Sequence, residues 1–506
     1  MRIGRGWFIG ALCFVLLLGI EFSFAAKSSP KWFYDVSKDW NRAYYQNTTF
    51  KQNHVELIQN LSIGWEQQPA DLFGSPEDLA IDAQGNVIVS GYTLDRTIER
   101  MQLIKYAPDG HVLWQRAQNS GLPSQSSSVS SDRQGNIYVS GFTWNSQMVD
   151  YLVLKFDPNG NLIWQQQLSA GGDDHARAID VDDQGFSVVT GDSNLGGFDI
   201  YTAKHDPNGR LMWHQRYNSG ESDWAWGVAQ NYRGEIFIAG STVIRGQKDM
   251  LLLKYNASGQ LIWQRQIDHG GEDVALDVAV SRLGQIAIAG YSDVAGRSDM
   301  LISVFDDQGN TLWSQKENLS NRDLAIGITW QNDDHLLVTG SADAGIETIQ
   351  TLKFDATGKQ LWRKQTPGSS TAQGKAIATD SHGNIFVTAA EGNRFRTFQY
   401  QDGYMNSGVF QSHAYDFETR IPFKSIAFHA NINQGSITAI VEASENNFQT
   451  ISDQLTFTIQ PAQTLFSLRG LKPARYVRVR FELSSHTPAL SPYVSGFTLS
   501  TDMDSH

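Results

Sequence analysis

The chain has 506 residues, 11% of them aromatic, with 45 Gly against 13 Pro, a length for two domains and a composition suited to a turn-rich β fold. Its formal charge of −13 excludes the broad basic surface that a nucleic-acid backbone requires, so no nucleic-acid partner is expected. A single cysteine, Cys13, rules out a disulfide framework.

Residues 1–25 have the form of a secretory signal peptide. Arg2 and Arg5 give a basic start, Trp7 to Ile20 an apolar core, and Ser23 and Ala25 a small-residue cleavage site, so Ala26 is expected to open the mature chain. An uncleaved anchor is the alternative, but the apolar run falls short of the roughly 20 residues a bilayer span takes. Cys13 leaves with the leader, so no disulfide, thiolate nucleophile or cysteine-held metal is expected afterwards. No later apolar run is long enough to cross a membrane, and the expected location is secreted or periplasmic, in a bacterium. Residues 26–58, with Trp32, Phe33, Tyr44 and Tyr45, form a lead-in without an assigned place.

Residues 59–402 are periodic. Trp65, Trp114, Trp164, Trp213, Trp263, Trp313 and Trp362 stand 49 or 50 residues apart, the mark of one supersecondary unit copied many times. The third unit shows the pattern. Ala176–Val181 is an apolar alternation, 182–185 a tight turn, and 186–190 a second strand; 200–205 is a third strand, 206–209 a second turn, and Leu211–Gln215 a fourth strand carrying Trp213. Four short strands in a meander make one propeller blade. The last copy, from about Lys375, has no Gly-x-x-Trp, whereas Trp65 stands near the N-terminus without three strands before it. The two halves complete each other, so a seven-bladed β-propeller closed by the N-terminal strand is predicted, with no sheet edge left open. The tryptophans are expected to pack blade on blade, each burying on the order of 200 Å².

The run Asp273-Val274-Ala275 through Gly284, with Asp249, Lys254, Tyr255, Gly259 and Trp263, resembles the secreted bacterial β-propeller repeat (SBBP-type) family over about Leu61 to Tyr400. That resemblance implies fold and export rather than chemistry. Lys353 through Trp362 is similar to the docking element of quinoprotein dehydrogenases, but the vicinal disulfide common at their quinone site is impossible here. Asp307 through Trp313 loosely resembles a sialidase Asp-box, without the clustered arginines and tyrosine nucleophile a sialidase needs.

Two connections per unit are long and open on the same face, where sequence is free to vary and binding is expected. Asp174, Asp223, Asp273 and Asp323 recur there, each two residues before an Ala. One reading is a half-ring of carboxylates that, with His175, Trp224 and Trp226, holds a sugar or a cation, Ca²⁺ being the type suited to carboxylates. The other is that each Asp bonds loop amides where its unit begins. A second series, Asp150, Asp199, Asp249 and Asp299, opens the third strands. Catalytic motifs are absent, and no catalytic residue or other cofactor is assigned.

After Tyr400 the period is lost. Residues 403–506 contain six or more strand-like alternations, Arg475–Leu483 the clearest, and are predicted to form a β-sandwich, with Arg478 and Arg480 on one face. The segment resembles the discoidin-like or jelly-roll domains appended to secreted propellers. The expected function is non-catalytic binding or scaffolding, with a cell-surface or extracellular glycan, a peptide or an envelope protein as ligand. The alternative is a polysaccharide hydrolase or lyase using the periodic acids.

Overall fold

The computed structural model describes residues 31–35, 44–46, 48–51, 54–57 and 59–501, except 96–97, 119–121, 146–147, 332–334, 369–370, 405–406, 413, 434, 461–463 and 485–491, with side chains for 63–400 and from 409 onward. The expected signal peptide lies outside these residues. The described chain is all-β and divides into two compact units, one of residues 60–403 and one combining both ends.

The first unit holds seven four-stranded antiparallel sheets. The first sheet is Gly74–Ile81, Val87–Asp95, Ile98–Tyr106 and Val112–Ala117, paired in chain order. Five more follow in the same order, opening at Ser124, Asp173, Asp223, Glu272 and Asp323. The seventh takes Ala372–Thr379, Ile385–Glu391 and Phe395–Tyr404 from the end of the repeat and Gln59–Gln67 from its start. One channel is lined by the first strands of all seven sheets.

Burial explains the strand sequences. Second and third strands are covered on both faces, so they are apolar almost throughout; Val149–Phe156 is buried at every position. Fourth strands lie outermost and alternate between exposed and half-buried, as in Leu162–Leu168, with the Trp at a half-buried place. Four of the turns between first and second strands are built by Asp82, Asp132, Asp182 and Asp380, with Asn231 and Ser281 in that place in two more. In Asp82–Gly85, the Gly85 amide donates to the Asp82 carbonyl (2.9 Å), while Asp82 Oδ1 accepts from the Asn86 amide (2.9 Å).

Neighbouring sheets are joined through a repeated pair of donors. Trp164 Nε1 donates to the Pro207 carbonyl of the next sheet (3.1 Å), and Lys155 Nζ, its cross-strand neighbour, donates to the same carbonyl (3.0 Å). Lys105 and Trp114 share Pro158 in the same way, and Lys254 and Trp263 share Asp307. The indole lies on the turn glycine: a Cβ at Gly209, whose φ is +82°, would sit 2.8 Å from Trp164. Six of the seven tryptophans make this bond, Trp65 among them, to the Pro108 carbonyl at 3.0 Å. Trp362 is the exception: its Nε1 is buried without a partner. Its neighbour is the seventh sheet, whose fourth strand comes from the other end of the chain, so no tight turn is there to offer a carbonyl.

The second unit contains two six-stranded sheets. Phe410, Val441 and Phe481 from one and Ile426, Phe428 and Phe497 from the other belong to one buried cluster. The lead-in contributes strands to both: Lys31–Asp35 pairs with Tyr493–Thr501, and Tyr44–Gln46 with Ser407–Gln411. Short and far in sequence from their partners, these strands gave no periodic signal. Arg478 is held by Glu442 (2.6 Å) and Arg480 by Glu482 (3.1 Å), so both carry their own counter-charge.

Replacing each Trp by Phe keeps an aromatic ring and removes the N–H. Trp164→Phe is expected to lose about 1 kcal/mol more than Trp362→Phe in urea unfolding, since only the former gives up a made hydrogen bond. Equal losses at the two sites would contradict this account of the joints.

Candidate functional site

Every first strand contains a β-bulge at the same place. Register shifts fall between Pro76 and Asp78, Ser126 and Ser128, Ala176 and Ala178, Ala225 and Gly227, Ala275 and Asp277, Ala325 and Gly327, and Gly374 and Ala376. A bulge leaves one extra residue unpaired and re-aims its side chain. Here those residues are Glu77, Ser127, Arg177, Trp226, Leu276, Ile326 and Lys375, and all seven line one cavity of about 330 Å³ at the channel mouth.

The ring they form is uneven. The Arg177 guanidinium lies 4.8 Å from the centre of the Trp226 ring, and Trp226 Nε1 is buried without a partner. Leu276 and Ile326 follow as an apolar arc. Lys375 is ion-paired with Glu77 (3.1 Å), joining the last sheet to the first. Tyr92, Gln125, Phe142, Ser128 and the carboxylates of Asp78 and Asp277 also line the cavity.

Behind Arg177 stands a fixed support. Asp192, 1% exposed, accepts from Arg177 Nε (2.8 Å), and His175 Nδ1 lies 3.5 Å from its other oxygen. Burial pushes Asp192 up, but His175 and Arg177 together hold it below the usual carboxylate value. The His175 ring meets Phe142 edge-on at 4.9 Å. His175 therefore braces the mouth, and Trp226 lines it. Trp224 sits apart, its ring tilted at 35° against Phe198 (5.3 Å between centres), with Lys248 Nζ 4.8 Å from its ring centre.

The periodic acids are elsewhere. Asp174, Asp223, Asp273 and Asp323 are each 0% exposed and absent from the cavity wall. Oδ2 of each accepts from the amide four residues earlier: Ala170 (2.6 Å), Ser219 (2.7 Å), His269 (2.5 Å) and Leu319 (2.6 Å). They tie down the connections between sheets. Sequence reasoning singled out His175 and Trp226 but missed the other ring members. A signal was present in four copies as the residue after Asp-x-Ala, which reads Arg177, Trp226, Leu276 and Ile326 and so changes from copy to copy.

Below the mouth the channel carries three carboxylates, each clasping a neighbouring first strand. Asp78 accepts from Ser128 Oγ (2.7 Å) and the Val129 amide (2.9 Å), Asp180 from the Gln230 amide (2.7 Å), and Asp277 from the Ile328 amide (2.9 Å). Burial pushes Asp78 and Asp180 up to about 6, and burial with the charges of Asp78 and Asp180 pushes Asp277 up to about 7.

Residues 99–297 match the PQQ_2 family model, described as the outer membrane protein assembly factor BamB. No curated protein matches the chain significantly. Similar solved structures include the Neurospora crassa Pan2 WD40 domain (12% identity, 69% of this chain and 97% of that one, TM-score 0.47). Chaetomium thermophilum Sqt1, bound to the N-terminus of the ribosomal protein L10, is another (10%, 66% and 98%, TM-score 0.44). A third is XC5397 from Xanthomonas campestris, a gluconolactonase (13%, 68% and 90%, TM-score 0.37). The quinone in the matched family's name is an anionic group, and it fits this channel poorly. Arg177 and Lys375 are already paired with Asp192 and Glu77, and the three channel carboxylates lie below them. The chain thus shares a β-propeller type of repeat with that family over the matched residues.

The raised channel acids make stability depend on pH. Their folded values lie above the unfolded value of 3.8, so the folded chain holds extra protons, and stability falls as pH rises from about 4 to about 7. His205, pushed down to about 4 by burial, acts in the opposite sense. The difference between wild type and Asp277→Asn isolates one acid: relative to the variant, wild type should lose several degrees of Tm between about pH 5 and pH 7.5. Parallel Tm profiles would contradict the raised value.

Proposed function

We propose that the protein is an exported seven-bladed β-propeller, closed by its N-terminal strand and carrying a C-terminal β-sandwich, that binds an envelope protein at the channel mouth. One observation carries this reading. The repeat keeps its strand order, its bulge position and its Trp joints, yet the bulges deliver acidic, hydroxyl, basic, aromatic and aliphatic residues to one cavity. A regular scaffold whose side chains of unlike chemistry converge on one cavity has the form of a recognition site.

The chemistry favours a peptide segment over a sugar. Arg177 covers one face of Trp226, the surface a sugar ring would stack on. Leu276 and Ile326 offer a place for an aliphatic or aromatic side chain. The leader-like residues 1–25 and the matched family's description as an outer membrane assembly factor both suit the envelope. The hydrolytic alternative draws no support from the periodic acids, which are buried against loop amides.

A photo-crosslinking amino acid at Ile326, in cells of the source organism, is expected to trap a protein partner, whereas the same probe at exposed Leu162 on an outer strand should not. Trp226→Ala should remove the adduct with Tm within about 2 °C of wild type. Equal adducts from both probe positions, or none from Ile326 together with glycan-array binding by the purified protein, would contradict the proposal.

A further inference from the structure

The joints between sheets share a pair of core residues, with one exception. At the start of each second strand a residue faces another near the end of the third. In six sheets the pair is Val, Ile or Leu opposite Tyr or Phe, as in Ile137 with Phe156 and Ile236 with Tyr255. In each of these the aromatic ring joins the apolar cluster that holds the Trp of the sheet before. In the third sheet the pair is Ser187 and His205.

Both residues are 0% exposed, and His205 is the only buried histidine among the described residues. Its ring lies 6.3 Å from that of Trp164, the Trp of the second sheet. The Ser187 hydroxyl and both His205 ring nitrogens are without hydrogen-bond partners. Burying unmet polar groups is costly, and the six other sheets show that the fold does not require them here.

The charged groups on the elements around the ring are engaged elsewhere. Asp182, in the turn before Ser187, takes the Gln184 and Phe186 amides, and Asp206 takes the Asn208 and Arg210 amides and the Arg210 side chain. On the fourth strand, His214 lies against Tyr201 and Arg216 is paired with Asp199. On the second sheet, Lys155 donates to the Pro207 carbonyl, and Tyr138 donates to Asp132 and the Gly185 carbonyl. Lys204 points to Gln230 of the fourth sheet.

We infer that Ser187 and His205 make the joint between the second and third sheets an acid-labile seam, which opens ahead of the other joints when the buried imidazole takes a proton. A neutral imidazole is tolerated among apolar neighbours. An imidazolium there has two N–H donors and no acceptor, and only opening of the joint brings water to it. Burial pushes His205 down to about 4 and outweighs the opposing charge of Asp206. The folded value lies below the model value of 6.5, so the joint keeps its full stability above about pH 6.5 and loses it as pH falls toward 4. Between pH 7 and pH 5 that shift favours the open joint by about 20-fold.

The test is hydrogen exchange of the full chain at pH 7 and pH 5, corrected for intrinsic rates. It compares the peptide covering 199–206 with its counterpart in the fourth sheet, 249–256. In wild type, protection of 199–206 should fall about 20-fold further than that of 249–256. His205→Phe, the residue type of positions 156 and 305, should remove the extra fall. His205→Tyr, the type of positions 106 and 255, should do the same and covers the case in which one ring packs poorly. The channel acids titrate alike in wild type and variants, so the difference between them reads His205. An equal fall in both wild-type peptides, or an extra fall that persists in His205→Phe and His205→Tyr, would overturn the inference.

Discussion

The ring of sheets depends on one repeated contact, a backbone carbonyl that receives an indole N–H from the sheet before it, joined at three of the joints by a lysine ammonium. Sheets packed face to face are otherwise held by apolar burial, which is strong but does not fix their relative position. Two donors converging on Pro158, Pro207 or Asp307 fix it, because the acceptor sits on a tight turn of fixed geometry. The turn glycine then lets the indole approach the backbone closely. Lys, Gly and Trp therefore recur together because they build one joint between successive copies. Where the chain changes ends, the turn is missing and Trp362 is left with an unused donor.

With that frame fixed at the outer strands, the inner strands are free to specialise. The bulge sits at one position in all seven and takes no part in the ladder, so its side chain can vary without loss of pairing. Just beneath, Asp78, Asp180 and Asp277 clasp adjacent strands and keep the mouth from spreading. The joints and clasps thus hold the strands in place, and the bulge residues carry the unlike side chains that meet at the cavity.

The repeat of four-stranded sheets was legible because the Trp spacing and the Asp-to-Gly turns are local patterns. The strand pairing of Gln59–Gln67 with the last sheet was readable too, from an orphan Trp at one end and a missing one at the other. The candidate site was less legible. Periodic acids draw attention, but a charged residue repeated across copies more often serves what those copies share, and Asp174, Asp223, Asp273 and Asp323 accept loop amides. The bulge residues are hidden because a bulge is a property of paired register, which one strand's sequence does not display. Trp226 stood out only as an aromatic, whereas Leu276, Ile326 and Lys375 look ordinary until the sheets are set around one channel. The strands Lys31–Asp35 and Tyr44–Gln46 find partners more than 350 residues away, beyond the reach of any local pattern.

The account stands on the first described strand of the ring being a full member of the last sheet. Hydrogen exchange of the peptide covering residues 59–67 measures this directly. The account predicts protection equal to that of Gln360–Thr366, the outer strand of the preceding sheet. Exchange at the rate of an unstructured peptide, with Gln360–Thr366 still protected, would contradict it.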